Sequence, residues 1–291
     1  MQTLKRPEGN RPGDLDLSRR ALGAAFFAGY AVAALAADAA PIHTDEAGLV
    51  IETVTLPSQG GSIPAYVARP NAPGRFPAVL VISEIFGVHD YIKDNCRRLA
   101  KLGYVAIAPA FFVRVADPAP LADIQAIMKI VAAAPDPQVM GDVGAALKVL
   151  QASPHVDAGK IAVTGWCWGG GKTWLSCETY PEFKAGVAWY GPMQPQTVDA
   201  NHLSAIAGVS HLHAPVLGLY GAKDGLAQQI PAMQAALKAA GRTDTEIVVY
   251  PDAGHGFHAD YRASYVEADA KDGWARMLAH FAAHGVRPGS R

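Results

Sequence analysis

Three cysteines in 291 residues are too few for a disulfide framework, and their odd number leaves at least one thiol unpaired. Cys96, Cys167 and Cys177 form no Cys-x-x-Cys pair, which argues against a structural zinc site. Charge is sparse as well. Charged residues make up 18% of the chain, the net charge is −1, and neither sign gathers into a long run. Nothing therefore supports a nucleic-acid surface or an acidic interaction tail. Beyond residue 50 there is no internal repeat, low-complexity linker or break in composition, so one domain is the simplest organisation. What the chain does have is apolar sequence. Half of its residues are hydrophobic, enough to bury a sheet on both faces within one large α/β domain.

The first forty residues differ from the rest. Arg19 and Arg20 follow Ser18, seventeen uncharged residues run from Ala21 to Ala37, and Ala37-Asp38-Ala39 resembles a cleavage site. A basic start, an apolar middle and a small-residue end make the three-part layout of an export signal, and Ser-Arg-Arg points to the twin-arginine route. The expectation is a signal over 1–39, a transient encounter with the twin-arginine export machinery, and a mature domain over 40–291 in the periplasm or outside the cell. An uncleaved membrane anchor is the alternative, although the run is slightly short and rich in alanine for a full span. With the signal removed, no stable membrane association is expected.

Leu49–Pro57 and Ser62–Pro70 alternate like antiparallel strands across a Ser58-Gln59-Gly60-Gly61 turn. Phe76–Glu84 is a continuous apolar run ended by a polar residue, as expected of a central parallel strand. Tyr91–Gly103 reads as a helix and Tyr104–Phe112 as the next strand. Leu121–Pro135 and Asp136–Ser153 are helical by apolar period, the second capped by Asp136 with Pro137 following. Lys160–Gly165, Ala185–Gly191, Ala214–Ala222 and Thr245–Asp252 complete the strands. Helices are expected over Gly171–Tyr180, Leu226–Gly241 and Tyr261–Gly285. Strands alternating with helices at this spacing imply a mostly parallel central sheet with helices on both faces.

In such a sheet, ligands gather beyond the carboxyl ends of the strands. Three reactive residues fall there: Cys167, Asp224 and His255. Their chain order is that of nucleophile, acid and histidine in an α/β-hydrolase, whose nucleophile lies within Gly-x-Ser-x-Gly. Here the pattern is Gly165-Trp166-Cys167-Trp168-Gly169, with cysteine in place of serine. Such a turn aims the Trp168 amide and the helix N-terminus at a developing oxyanion. The plainer readings are a small buried cysteine, an Asp224 that merely caps a helix, and a histidine role taken by His258, His211 or His213. Cys96 and Cys177 read as packing residues.

At these residues the sequence resembles the dienelactone hydrolase family of α/β-hydrolases. "VISEIFGVHDYIKDNCRRLAKLGYVAIAPAFF", "VTGWCWGGG", "AGVAWYG", "LYGAKD" and "YPDAGHGFHADYR" fall in that family's order from about Leu49 to the C-terminus. The resemblance implies a Cys167–His255–Asp224 triad with no metal or organic cofactor. It also implies that Glu84 accepts the cysteine's proton when substrate binds, and that the Ile85 amide is the second oxyanion donor. The family holds its substrate's carboxylate with two arginines. Val115–Ala158 contains no arginine, and its lysines are Lys129 and Lys148 alone; residue 259, where the second belongs, is alanine. Arg262 and His258 are the candidate substrate-binding side chains. Losing one charge-assisted contact costs on the order of 2 kcal/mol, roughly thirtyfold in kcat/KM. The expected reaction is hydrolysis of an ester or a dienelactone-like lactone. The alternative is a carboxylesterase or thioesterase acting on neutral small esters. A non-catalytic binding protein and a redox role for the thiol are disfavoured, by the intact Cys, Asp and His and by the lack of a resolving cysteine near in sequence.

Overall fold

The alternation read from the sequence builds an eight-stranded sheet in the computed structural model, which describes residues 41–288. β1 (Leu49–Leu56) and β2 (Ile63–Pro70) pair antiparallel, from Leu49↔Pro70 to Leu56↔Ile63. The remaining strands are parallel to one another: β3 (Phe76–Ile82), β4 (Val105–Pro109), β5 (Val156–Trp166), β6 (Phe183–Trp189), β7 (Val216–Gly221) and β8 (Glu246–Tyr250). Nearly every residue of β3 and β4 is buried, which is why these segments carry no polar alternation.

The helices are α1 (Asp90–Lys101), α2 (Ile124–Ala132), α3 (Asp136–Ala152), α4 (Trp168–Thr179), the single turn α5 (Ala205–Gly208), α6 (Ile230–Ala239) and α7 (Glu267–Ala283). They cover both faces of the sheet, as β6 illustrates. Gly186 faces Cys177 of α4, whereas Trp189 faces Gly273 of α7. Residues three apart on a strand point to opposite sides, so α4 and α7 lie on opposite faces. Cys96 and Cys177 are fully buried packing residues, as expected.

Among the boundaries that differ from the expectation, two change what a side chain does. Asp136 is not the cap of α3 but its first residue; Pro135 precedes it in extended conformation. The Asp136 carboxylate instead pairs with Lys172 of α4 and accepts from the Leu203 amide at 2.7 Å. The stretch Tyr261–Val266 is not helical either. Arg262 N donates to Ala259 O and Val266 N to Phe257 O, so the chain coils back on the Gly256–Ala259 loop before α7 begins at Glu267. The leader read over 1–39 lies outside the described residues. No helix among the described residues is long and apolar enough to cross a membrane.

The strand order β1-β2-β4-β3-β5-β6-β7-β8 locates the functional end of the sheet. From β3 the chain winds outward to β4, then returns past β3 to β5, so the direction of winding reverses between β3 and β5. A crevice opens beyond the strand ends at such a switch point. The register Ile82↔Gly165 brings the residues after β3, from Ser83 to Phe86, beside those after β5, from Trp166 to Trp168. Trp166↔Trp189 sets Tyr190 next to Cys167, and Gly221↔Tyr250 sets the Asp224 loop next to the His255 loop.

Candidate active site

Cys167 occupies the step from β5 to α4 with φ 57° and ψ −122°, a conformation rare for a residue with a Cβ. Such a backbone costs about 1–3 kcal/mol and persists only where its surroundings fix it. Here they do. Cys167 N donates to Trp189 O at 2.9 Å, and Gly170 N donates to Cys167 O at 2.9 Å. A side chain at Gly165 would collide with the Gly169 carbonyl, and one at Gly169 with the Ile82 and Ser83 carbonyls. The two glycines thus let the start of α4 approach the end of β3 closely, which sets Trp168 directly beyond the cysteine and Ile85 three residues past the Ile82 end of β3. Both residues are buried, and the Trp168 ring rests on Phe112 with centroids 4.8 Å apart. Helix α4 begins at Trp168, three residues earlier than the sequence suggests, so its N-terminal dipole points at Cys167.

The structure brings His255 and Asp224 to the same place. His255 Nδ1 lies 2.8 Å from Asp224 Oδ2, and the ring also interacts with Cys167. Asp224 serves two purposes at once, since its Oδ1 accepts from the Leu226 amide at 3.0 Å while Oδ2 holds the histidine. Burial disfavours a charge on the His255 ring, but Asp224 and Cys167 outweigh it and push its pKa up to about 10. Such a chain of contacts can activate a thiol and return a proton to a leaving group.

Glu84 lies at the end of β3, fully buried, in a cluster that the sequence does not reveal in full. Its Oε2 accepts from Tyr261 OH at 2.7 Å and lies 3.3 Å from His89 Nε2; its Oε1 is 3.4 Å from a terminal nitrogen of Arg262. Burial pushes the carboxyl pKa up, and the charge of Arg262 with the His89 and Tyr261 contacts reverses that, to about 2. Arg69 and Arg114 are engaged elsewhere, on Glu52 and Asp142. Arg262 is only 1% exposed, donates from Nε to Tyr261 OH at 2.9 Å and stacks on Phe86. Its Nη1 and Nη2 make no hydrogen bond with any described residue.

His258, the other candidate for substrate contact, takes a packing place instead. It is 3% exposed, its Nδ1 is 2.6 Å from Tyr91 OH, and its ring lies among Trp166, Trp189 and Trp274. Burial, helped by the charge of Arg98, depresses its pKa to about 3 and keeps the ring neutral. Trp166 and Trp189 are core, both fully buried. His89 and Tyr261 escaped the sequence reading. Tyr190, just past β6, has φ 38° and packs edge-on against His255 with centroids 5.2 Å apart. Among the described residues no cluster of three or more His, Cys, Asp or Glu is arranged to hold a metal ion.

Comparison with known proteins agrees with this geometry. Residues 63–285 match the model of the dienelactone hydrolase family. A protein of Methylorubrum extorquens named "Putative carboxymethylenebutenolidase" is 46% identical over 278 residues, covering 93% of this chain and 94% of the relative. A Salmonella typhimurium protein of the same name is 45% identical over 264 residues, covering 90% and 97%. The crystal structure of a "Putative Dienelactone Hydrolase" from Klebsiella pneumoniae superposes with a TM-score of 0.76 at 47% identity, covering 80% of this chain and 98% of that one. With an α/β-hydrolase fold and relatives that match over nearly their whole length, this chain is a lactone- or ester-hydrolysing enzyme that belongs to the dienelactone hydrolase family.

Proposed function

We propose that the enzyme cleaves a lactone or ester bearing a carboxylate near the scissile bond, through an acyl-cysteine intermediate. Cys167 attacks the carbonyl, the amides of Ile85 and Trp168 hold the oxyanion, and His255, oriented by Asp224, moves protons in acylation and deacylation. The observation that carries the substrate class is Arg262: a buried guanidinium next to Glu84, within electrostatic reach of Cys167, with both Nη groups unengaged by hydrogen bonds. A substrate carboxylate is the group that satisfies such a fork. It also competes with Glu84 for Arg262. Freed of that pairing, Glu84 regains enough basicity to accept the thiol proton, which it cannot do while held at a pKa of about 2. The relatives' name describes a butenolide with a carboxymethylene group, a lactone with a carboxylate.

A second reading, a carboxylesterase or thioesterase for neutral esters, has its own support. The segment 115–158 supplies no arginine, and Lys129 and Lys148 within it are exposed. The two readings separate in a kcat/KM comparison on residues 40–291, with a carboxylate-bearing dienelactone set against a matched neutral aryl ester. Preference for the lactone by about tenfold or more is expected if Arg262 reads the carboxylate. Equal or better turnover of the neutral ester establishes the second reading.

The export of this enzyme is a further part of the proposal, supported by Arg19-Arg20 and the uncharged run behind them. Replacing both arginines by lysine is expected to leave the protein in the cytoplasm. Undiminished periplasmic yield would refute the twin-arginine route.

A further inference from the structure

Position 89 is a local anomaly. His89 is the N-cap of α1, where Ser, Thr, Asp or Asn normally closes the first turn, yet its side chain makes no capping hydrogen bond. The ring is turned instead onto Glu84, with Nε2 3.3 Å from Oε2. Giving up a cap costs helix stability, and violations of a local rule gather where function requires them. The rest of its surroundings is aromatic or already assigned: Phe86 at 6.0 Å, Tyr91 at 5.9 Å and Tyr261 at 5.1 Å between ring centroids, with Arg262 on the far side of the carboxylate. His89 also differs from its ionic neighbours in access. Its side chain is 16% exposed, against 0% for Glu84 and 1% for Arg262.

We infer that His89 is a proton relay between Glu84 and solvent. The inference rests on the reading of Glu84 as the thiol's proton acceptor and extends it. In the first step the Cys167 S–H bond breaks and its proton forms an O–H bond on Glu84. In the second, Glu84 gives that proton to His89 and is again a carboxylate. In the third, His89 passes it to water at the mouth of the site. The count closes over a turnover: the leaving-group oxygen takes its proton from His255, the attacking water returns one to His255 while its hydroxyl joins the acyl group, and the departing Cys167 thiolate regains its proton from the carboxylic acid product. A buried carboxylic acid with no outlet would hold its proton next to the thiolate and favour return. An outlet makes thiolate formation effectively one-way once substrate has engaged Arg262. His89 suits the task by position and by chemistry, since an imidazole can accept a proton on one ring nitrogen and release one from the other.

Chemical rescue tests this directly. In His89→Ala, kcat on the preferred substrate is expected to fall about tenfold or more with KM little changed, and added imidazole should restore most of it in a saturable way. His89→Gln, which keeps an amide near Glu84 but carries no proton, should show the same loss without rescue. It also serves if the alanine variant folds poorly. Glu84→Gln is measured in parallel. Full activity in folded His89→Ala, or a loss that imidazole does not restore, overturns the relay. When Glu84→Gln is inactive in that same experiment, the role of Glu84 survives. Full activity in Glu84→Gln overturns both.

Discussion

Cys167→Ala is expected to lower kcat/KM for ester or lactone hydrolysis by on the order of 10⁴ while leaving a folded protein. The loss follows from chemistry: the remaining Asp224–His255 pair has no atom on which to form an acyl intermediate. The retained fold follows from the backbone. Cys167 is held at φ 57° by the Trp189 carbonyl and by the glycines around it, and alanine keeps the Cβ that this conformation already accommodates. Only one sulfur atom leaves the buried interior, at a cost of about 1 kcal/mol. A second signature accompanies the first. Cys167 is one of the two groups that raise the His255 pKa to about 10, so in the variant that pKa falls. A histidine whose folded pKa exceeds the unfolded value contributes stability fully below about pH 6.5 and loses it as pH rises towards 10. Stability of the wild type should therefore decline across that window, and the decline should be shallower in Cys167→Ala. Denaturant titrations at several pH values and NMR of the imidazole read both effects. Undiminished hydrolysis by the folded variant would remove the acyl-cysteine mechanism altogether.

Much of this arrangement is legible in the sequence because it depends on short-range signals. The strands are apolar runs with turn residues behind them. The elbow is spelled by two glycines at fixed distances from Cys167, and Asp224 and His255 each stand just beyond a strand. The cluster around Glu84 is different in kind. Tyr261 and Arg262 belong to a stretch whose apolar spacing reads as the start of a helix, but the chain there folds back on the Gly256–Ala259 loop. Gly256, at φ 78°, makes that reversal possible, and no local period records it. The reversal carries Arg262 to the carboxylate, seven residues beyond His255 rather than four. His89 was hidden for a different reason. The sequence leaves it in the short connection before the helix read from Tyr91, and only the contact with Glu84, five positions earlier, shows where its ring turns.

Arg262→Met carries the other large effect, and it separates stability from specificity. Removing the guanidinium leaves Glu84 buried with only His89 and Tyr261 as partners, and breaking a buried ion pair from one side costs about 3–5 kcal/mol. The pH dependence should change sign. In the wild type the depressed carboxyl contributes stability above its unfolded pKa of about 4.5 and loses it as pH falls towards 2. Without Arg262, burial dominates, the carboxyl pKa rises above the unfolded value, and the protein becomes less stable as pH increases. The double variant Arg262→Met with Glu84→Gln removes the stranded charge, so most of the lost stability should return. Substrate preference should not return with it. The ratio of kcat/KM for a carboxylate-bearing lactone over a neutral ester is expected to fall about thirtyfold, close to 2 kcal/mol, in Arg262→Met against wild type and in the residual turnover of the double variant against Glu84→Gln alone. A restored melting temperature with the lost preference identifies Arg262 as the reader of the substrate carboxylate. A preference in the double variant unchanged from that of Glu84→Gln would show that Arg262 serves only to neutralise Glu84, and the neutral-ester reading would then stand.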